Sequence, residues 1–386
     1  MLKNKKVFIL IYLLGFLWAF SGALPSYVQS SYLETFVGVR YVGLYWTLAM
    51  FLTLFAIFYF PRFIKRFHNY PVAFAMLLAL FISTLVLSQS ENRWLVLFFF
   101  VIYTVSFDLI AINMDVFLKD IATTSEMGRV RTSFLTATNI AWVMAPFLMG
   151  QIASSGDYTL VYLGATIALV PALFIMVGQR HNLKDGINYR SRRWSDLLAA
   201  FKRNKNLAKI FTVTYFLRFF YCIMVVYTPI YLHQYKGFDW SQIGIMFTIM
   251  LVPFVILEFP VGTIADRYLG EQEILTIGLL IMMIATGSIF FIQSSNFIVW
   301  AAVLFVSRIG ASLVEAMQDV YFFKIVDKQD MDLIDLFRDV RPVAWLSGSL
   351  FAVIVLEFFP LQYLYLFLAI FLMIALHPAL TLKDTK

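Results

Sequence analysis

The sequence predicts an all-α integral membrane protein with twelve transmembrane helices, arranged as two pseudo-symmetric halves of six. Its 386 residues are 61% hydrophobic and only 14% charged, whereas a soluble globular domain carries about 25% charged residues. Apolar runs of roughly 20 residues, the length that crosses a bilayer, recur along the chain. Short motifs of the first half also return in the second half at a nearly constant distance. Lipid must therefore surround much of this chain.

The apolar runs are separated by short polar segments, and we number them as spans 1 to 12. The first six lie at residues 7–29, 41–60, 71–90, 94–118, 132–153 and 158–178. The other six lie at residues 209–233, 241–261, 273–293, 297–323, 342–359 and 361–381. Each is long enough, or nearly so, to form a spanning helix.

Lysine and arginine residues determine the predicted topology, because short cytoplasmic loops are enriched in them. Of the 30 such residues, 25 lie in segments that are cytoplasmic if the N-terminus is inside. Three lie in outside loops, namely Arg40, Arg93 and Lys236, and two lie within spans, Arg218 and Arg308. We therefore expect a multi-pass protein of the inner (cytoplasmic) membrane with both termini in the cytoplasm.

A polar stretch at residues 179–208 is expected to be a cytoplasmic linker between an N-terminal half, 1–178, and a C-terminal half, 209–386. Its apolar residues recur at helical spacing: Trp194, Leu197, Leu198 and Phe201. This spacing predicts a short amphipathic helix, and the basic residues around it favour the surface of an anionic membrane.

The two halves are related by matching motifs. Pro25-Ser26-Tyr27 in span 1 matches Pro229-Ile230-Tyr231 in span 7, 204 residues later. Met114-Asp115-Val116-Phe117 in span 4 matches Gln318-Asp319-Val320-Tyr321 in span 10, also 204 residues later. Parallel repeats of six helices are an architecture of secondary transporters.

The segment after span 8, Gly262-Thr263-Ile264-Ala265-Asp266-Arg267, resembles the G-x-x-x-D-R signature of the major facilitator superfamily. The resemblance implies a tight cytoplasmic turn that takes part in a gate, together with Asp319 and Arg341. Gly262 would permit close helix packing, and Asp266 could face the positive end of a neighbouring helix. The equivalent loop of the first half, residues 63–67, has neither the glycine nor the acid.

Span 5 contains small residues and a proline that are similar to the glycine-rich element of the superfamily's antiporters. These residues are Ala141, Ala145, Pro146 and Gly150. Small residues at this spacing permit close helix packing, and a proline bends a helix. The resemblance favours export, although packing alone is an equally good explanation of the pattern.

Four ionisable residues lie inside spans, where each costs roughly 2.5–3.5 kcal/mol to insert. They are Asp108 in span 4, Arg218 in span 7, and Arg308 and Glu315 in span 10. The resemblance implies that spans 1, 4, 7 and 10 line a central cavity. Other residues expected to line it are Trp18, Tyr27, Asn113 and Tyr227.

These charges have two interpretations. In the first, Asp108 and Glu315 alternate between pairing with an arginine and binding a proton or a cationic substrate, which would couple transport to protons. In the second, the charges form static ion pairs that fix the positions of the helices. The sequence favours the first interpretation only slightly.

The predicted function is secondary active transport of a small organic solute by alternating access, coupled to protons and in the direction of export. An uptake carrier for a sugar, an organic acid or another metabolite is the alternative within this class. A non-transporting scaffold or sensor on the same fold is the alternative from another class. We expect a monomer in the lipid bilayer, with a small-molecule substrate and the proton as partners.

Several other functions have no support in the sequence. We find no phosphate-binding loop, no G-x-S-x-G and no H-E-x-x-H, so we expect neither an enzyme nor an ATP-driven pump. The single cysteine, Cys222, permits no disulfide within the chain, and the four histidines have no metal-ligand spacing. We expect no cofactor, no metal and no nucleic acid partner.

Overall fold

The computed structural model of the protein describes residues 2–121, 127–181, 183, 201, 204–267, 269–326 and 331–383. The chain divides into two compact units, Met1–Ser191 and Arg192–Lys386, and each is described by itself. The described residues form helices and short connections. A lipid-embedded chain must satisfy its backbone hydrogen bonds internally, and a helix does so within one segment.

In its described part, the first unit consists of seven helices: α1 Leu2–Ala23, α2 Gln29–Val37, α3 Val39–Phe67, α4 Asn69–Leu87, α5 Arg93–Ile121, α6 Met127–Ala153 and α7 Tyr158–Gly178. Six of them correspond to spans 1 to 6. The short helix α2 is additional, so from the second span on the helix number exceeds the span number by one.

The described part of the second unit consists of six helices: α8 Lys205–Ile230, α9 Trp240–Arg267, α10 Glu271–Ile289, α11 Phe297–Ile325, α12 Met331–Phe358 and α13 Tyr363–Leu380. A π-helical turn, Tyr231–Tyr235, continues α8. The expected amphipathic helix of the linker lies almost wholly outside the described residues.

The prediction of an all-α membrane fold with twelve spanning helices is confirmed. Eleven helices within the described residues are long and apolar enough to cross a membrane, and the apolar part of α1, Val7–Ala23, is a shorter twelfth. The end of span 1 differs from the prediction, because α1 ends at Ala23 and turns occupy residues 24–28. Pro25 has no backbone N–H and so cannot continue the hydrogen-bond ladder of α1.

Span 11 also differs, because α12 begins at Met331 rather than near residue 342. Its first eleven residues, 331–341, include three aspartates and two arginines, which is too many charges for a segment in lipid. Hydropathy marks the stretch of a helix that lies in lipid. A helix can continue into water beyond that stretch, so hydropathy alone underestimates its length.

The same helix pairings recur in both units. In the first, α1 packs against α6 and α7, while α5 packs against α3 and α4. In the second, α8 packs against α12 and α13, while α11 packs against α9 and α10. The helices that correspond by span number therefore make corresponding contacts, as expected of a repeat.

Polar side chains at the start of α4 connect that helix to two others. The Asn113 amide of α5 donates to the Asn69 side-chain oxygen at 2.7 Å, and the Asn69 amide donates to the Asn113 carbonyl at 3.2 Å. Tyr70 donates to the Met176 carbonyl at the end of α7, at 3.1 Å. These bonds fix one end of α4 between α5 and α7.

In the second unit, the first two residues of α10 connect that helix to α11 and α13. Lys324 of α11 forms an ion pair with the fully buried Glu271 at 2.7 Å. Gln272 donates to the Leu380 carbonyl at the end of α13, at 2.6 Å. The chemistry differs from that of α4, but the helices connected are the corresponding ones.

Helices α10 and α11 touch through their backbones. A Cβ atom added to Gly310 would lie 2.5 Å from the Gly278 carbonyl oxygen and 2.5 Å from the Met282 backbone nitrogen. Only a glycine fits at such a distance, and small residues at helix crossings are typical of membrane proteins. This contact fixes the position of α11, the helix that carries Arg308 and Glu315.

Candidate functional site

A charged cluster lies within the second unit, between α8 and α11. Arg218 of α8 donates from Nη1 to Oε1 of Glu315 on α11 at 2.8 Å. Tyr221, one turn after Arg218, donates its hydroxyl to the other oxygen, Oε2, at 2.7 Å. Both oxygens of the carboxylate therefore receive a hydrogen bond from the same face of α8.

Arg308 belongs to the same cluster. Its guanidinium carbon lies 5.0 Å from the centre of the Phe220 ring and 5.4 Å from that of Tyr221, and its side chain is 2% exposed. The Arg218 guanidinium is 5.7 Å from the centre of the same Tyr221 ring. An aromatic face stabilises a nearby cation, more so where water is excluded. Tyr221 thus contacts every charge of the cluster.

The ion pair is not sealed from its surroundings. The side chains of Arg218 and Glu315 keep 26% and 23% of their exposure, and Asp319, one helical turn after Glu315, is exposed. The neighbouring side chains of the described residues therefore cover the carboxylate only in part.

Two more polar side chains of these helices are fully buried. Gln318 on α11 is 0% exposed, and neither its amide nitrogen nor its oxygen has a hydrogen-bond partner among the described residues. The Tyr227 hydroxyl on α8 is also buried and has no hydrogen-bond partner among the described residues. Buried polar groups of this kind are rare and often mark functional sites.

In the first unit, the residues expected at the site are spread over several helices. Trp18 of α1 stacks on Phe107 of α5 with ring centres 4.9 Å apart. Tyr27 lies in the turn after α1 and is 5% exposed, and Asp108 is half-buried on α5. Asn113 is fully buried by its pairing with Asn69, so its amide helps to hold α4 and α5 together.

The expected gate motif lies on a helix rather than in a turn. Helix α9 runs to Arg267, and the side chains of Gly262, Asp266 and Arg267 lie outside the described part of the chain. Arg341 stacks over the Trp345 ring at 5.4 Å. The gate role of these residues, and of Asp319, stays a prediction.

The small residues of span 5 are packed inside the first unit. Ala141, Ala145, Pro146 and Gly150 are all buried on α6, which packs against α1. Pro146 lies inside the helix without ending it. The arrangement is that of a tightly packed helix face.

Sequence reasoning named Arg218, Arg308 and Glu315 but did not predict the hydrogen bond from Tyr221 to Glu315. The chain has 41 phenylalanines and 20 tyrosines, so one more tyrosine in span 7 was no signal by composition. The spacing of Tyr221 from Arg218 was a usable signal, since residues three apart share a helix face.

These features define a class of protein: a multi-pass α-helical membrane protein with two similar units and a charged cluster inside the second. The family model of the Major Facilitator Superfamily matches residues 2–332, and the chain belongs to this superfamily of membrane transporters. The resemblance seen in the sequence is therefore confirmed. A search of curated proteins gave no match.

Solved structures of transporters share the fold. The nucleoside transporter NupG is 13% identical with a TM-score of 0.75 over 100% of both chains. The peptide transporter POT in complex with sulfate is 11% identical with a TM-score of 0.76, over 97% of this chain and 93% of that one. A bacterial homolog of the human lysosomal transporter Spinster, inward-facing and unoccupied, is 12% identical with a TM-score of 0.72, over 98% and 96%.

Proposed function

We propose that this protein is a proton-coupled secondary transporter that moves a small organic solute by alternating access, with Glu315 as the coupling carboxylate. The superfamily is one of membrane transporters, and the described site contains the groups that such coupling needs. In this proposal the protein works as a monomer in the inner membrane, with both termini in the cytoplasm.

The observation that carries the proposal is the partly exposed ion pair of Arg218 and Glu315, completed by the Tyr221 hydroxyl. A nearby guanidinium favours the charged form of a carboxylate, and a low-polarity setting favours the neutral form. In the proposed cycle, Glu315 takes up a proton when it is exposed to one side of the membrane and releases it when it is exposed to the other. Protonation breaks the ion pair, and a cationic group of the substrate can compete for the same carboxylate.

The repeat argues against a purely static role for these charges. The positions 204 residues before the members of the cluster hold uncharged residues: Leu14, Leu17, Thr104 and Ala111. The first unit nevertheless forms the corresponding helix pairings. Since the architecture does not need these charges and their insertion is costly, we attribute them to transport.

Export of a cationic or amphipathic compound is our first choice of substrate and direction, on the span 5 resemblance and the acidic coupling group. Uptake of a sugar, an organic acid or another metabolite is the alternative. Nucleosides and peptides, named for two of the structural neighbours, belong in the test panel. Asp108 is a second candidate for proton binding.

The test uses purified protein in proteoliposomes with an imposed proton gradient, while a lumenal dye records pH as organic cations, sugars, organic acids, nucleosides and peptides are added. We expect one compound class to collapse the gradient, and Glu315→Gln to slow this at least about tenfold, as for loss of a general acid–base group. Glu273→Gln is the matched control, because Glu273 is exposed at the start of α10. Asp108→Asn tests the second carboxylate.

Unchanged coupling in Glu315→Gln, with the protein shown to be folded, would assign the cluster to helix packing. Solute flux without proton movement would indicate a uniporter. No flux with any compound, together with a tightly bound partner protein, would instead support a scaffold or sensor.

A further inference from the structure

Two cavities lie side by side on the first unit, at the end where α5 begins. The smaller, about 290 Å³, is lined by Tyr41, Leu44, Tyr45, Leu48 and Arg93. The larger, about 580 Å³, lies among α3, α4 and α5. They share Tyr45 and Leu48, so together they form one groove with a polar mouth. We call it the α3–α5 groove.

The inner part of this groove is apolar and open to lipid. Its lining has no charged side chain and includes Leu52, Met76, Ala79 and Val101. Phe98, also in the lining, is 59% exposed. All three helices are long and apolar enough to span a membrane, and exposed apolar side chains on such helices suit contact with hydrocarbon. The volume of the larger cavity, about 580 Å³, lies in the range of specific ligand sites, about 300–1,000 Å³.

The length of the groove fits an acyl chain. Leu109, at its inner end, follows Arg93 by 16 residues on the same helix, which is about 24 Å at the helical rise. Half the hydrocarbon thickness of a bilayer is about 15 Å. The groove is therefore long enough to hold the whole of one acyl chain from a single leaflet.

The mouth of the groove offers phosphate-binding groups at the level of the lipid headgroups. Arg93 is exposed at the first position of α5 and lies 5.7 Å from the Trp94 ring, which is itself 72% exposed. Tryptophan is enriched at the membrane interface, which places Arg93 at headgroup depth. A guanidinium binds phosphate in a two-pronged geometry, and Tyr41 and Tyr45 line the same cavity as Arg93.

We propose that the α3–α5 groove binds one anionic phospholipid, with its phosphate on Arg93 and the two tyrosines and one acyl chain in the apolar part. The site belongs to the first unit alone. The residue 204 positions after Arg93 is Phe297, so the corresponding start of α11 lacks the guanidinium. Lipid binding here is independent of the proposed transport mechanism.

The test is native mass spectrometry of the full chain in detergent, titrated with phosphatidylglycerol. We expect one tight binding event that Arg93→Gln weakens about tenfold, as for loss of a charge-assisted hydrogen bond, and that Ala79→Phe abolishes by filling the groove. Arg62→Gln and Ala75→Phe are the matched controls and should bind as wild type. Arg62 lies towards the opposite end of α3, and Ala75 is an exposed residue of α4 outside the groove.

Equal binding by wild type, Arg93→Gln and Ala79→Phe would overturn the proposal. Glycerol phosphate binding as tightly as the lipid would also overturn it, because the site would then be one for free phosphate. A dimer that Ala79→Phe dissociates would show that a second copy of the chain occupies the groove instead. Thermal unfolding of each variant shows whether a loss of binding comes from misfolding.

Discussion

At the scale of single residues, the Glu315 carboxylate accepts a hydrogen bond from a different donor at each of its two oxygens. Arg218 takes one oxygen and Tyr221 takes the other. An exposed ion pair contributes about 0.2–1 kcal/mol, whereas breaking a buried one costs about 3–5 kcal/mol. At roughly a quarter exposure, this pair lies between the two limits. A pair of intermediate strength suits the proposed mechanism, in which it forms and breaks during each transport cycle.

Removing one member of the pair should therefore affect stability differently from removing both. We expect Arg218→Gln and Glu315→Gln each to lower the stability by about 1–3 kcal/mol, because each leaves one charge without its partner. The double variant should regain most of this loss, yet it should not transport. Apparent melting temperature and proteoliposome flux together measure the two effects.

The ion pair of Lys324 and Glu271 provides the control, since it connects α10 to α11 away from the cluster. Its double variant, Lys324→Gln with Glu271→Gln, should keep transport activity. Equal transport by both double variants would refute a coupling role for Glu315.

Residue chemistry also limits what the sequence could reveal about the site. The charges were found because ionisable groups are rare in spans, and the span numbers placed Arg218, Arg308 and Glu315 on neighbouring helices. Asn113 was expected to line the cavity, but it pairs with Asn69, 44 residues away in the chain. No local pattern indicates such a partner, because it depends on how α4 and α5 pack.

At the scale of helices, the starts of α5 and α11 are built in the same way. Asn92 accepts from the backbone N–H groups of Trp94 and Leu95, and its own N–H donates to Ser90. Asn296 and Ser294 make the equivalent bonds 204 residues later. Asparagine is a preferred cap at this position, so the S-x-N pattern was a readable signal for both boundaries.

The first helix of each unit departs from regular α-helix at its matching proline motif. Helix α1 ends in turns around Pro25, and α8 passes into a π-helical turn that begins at Tyr231. Interrupted helices at corresponding positions of two repeats often mark the binding region of a transporter. The two motifs could be matched in the sequence. The sequence did not indicate that the first would end a helix and that the second would begin a π-helical turn.

Helix α11 should tolerate no side chain at Gly310. We expect Gly310→Ala to lower the stability by about 3 kcal/mol, since the new methyl group would meet backbone atoms that cannot rotate away. Gly178→Ala, at the end of α7, is the control, because an added Cβ there meets nothing within 4 Å. Apparent melting temperatures measure both. A Gly310→Ala protein as stable as wild type would mean that α10 and α11 lie further apart.

At the scale of the whole molecule, hydropathy predicted the twelve spans because lipid imposes one simple rule on length. The constant offset of about 204 residues predicted related halves because a repeat preserves spacing. The ends of α1 and α12 could not be predicted in the same way. Helix α1 ends near a proline, and α12 begins in a polar segment before its apolar part. A count of apolar residues detects neither boundary.

The predicted topology can be tested with cysteine labelling. The native Cys222 is fully buried, so it should not react. We expect Gln89→Cys, in the connection between α4 and α5, to react with a membrane-impermeant maleimide in intact cells. Lys65→Cys, near the end of α3, should react only after the membrane is opened. Both native residues are exposed, so the reverse pattern would mean that the protein has the opposite orientation.

The ion pair between α8 and α11 also has a consequence for synthesis. Arg218 and Glu315 are 97 residues apart, and a ribosome adds about 5–20 residues per second. Arg218 is therefore synthesised roughly 5 to 20 seconds before the carboxylate that pairs with it exists. During that interval the nascent helix must either be held at the insertion machinery or keep its arginine at the water interface. The α8 segment is thus a natural point at which assembly of the second unit can pause.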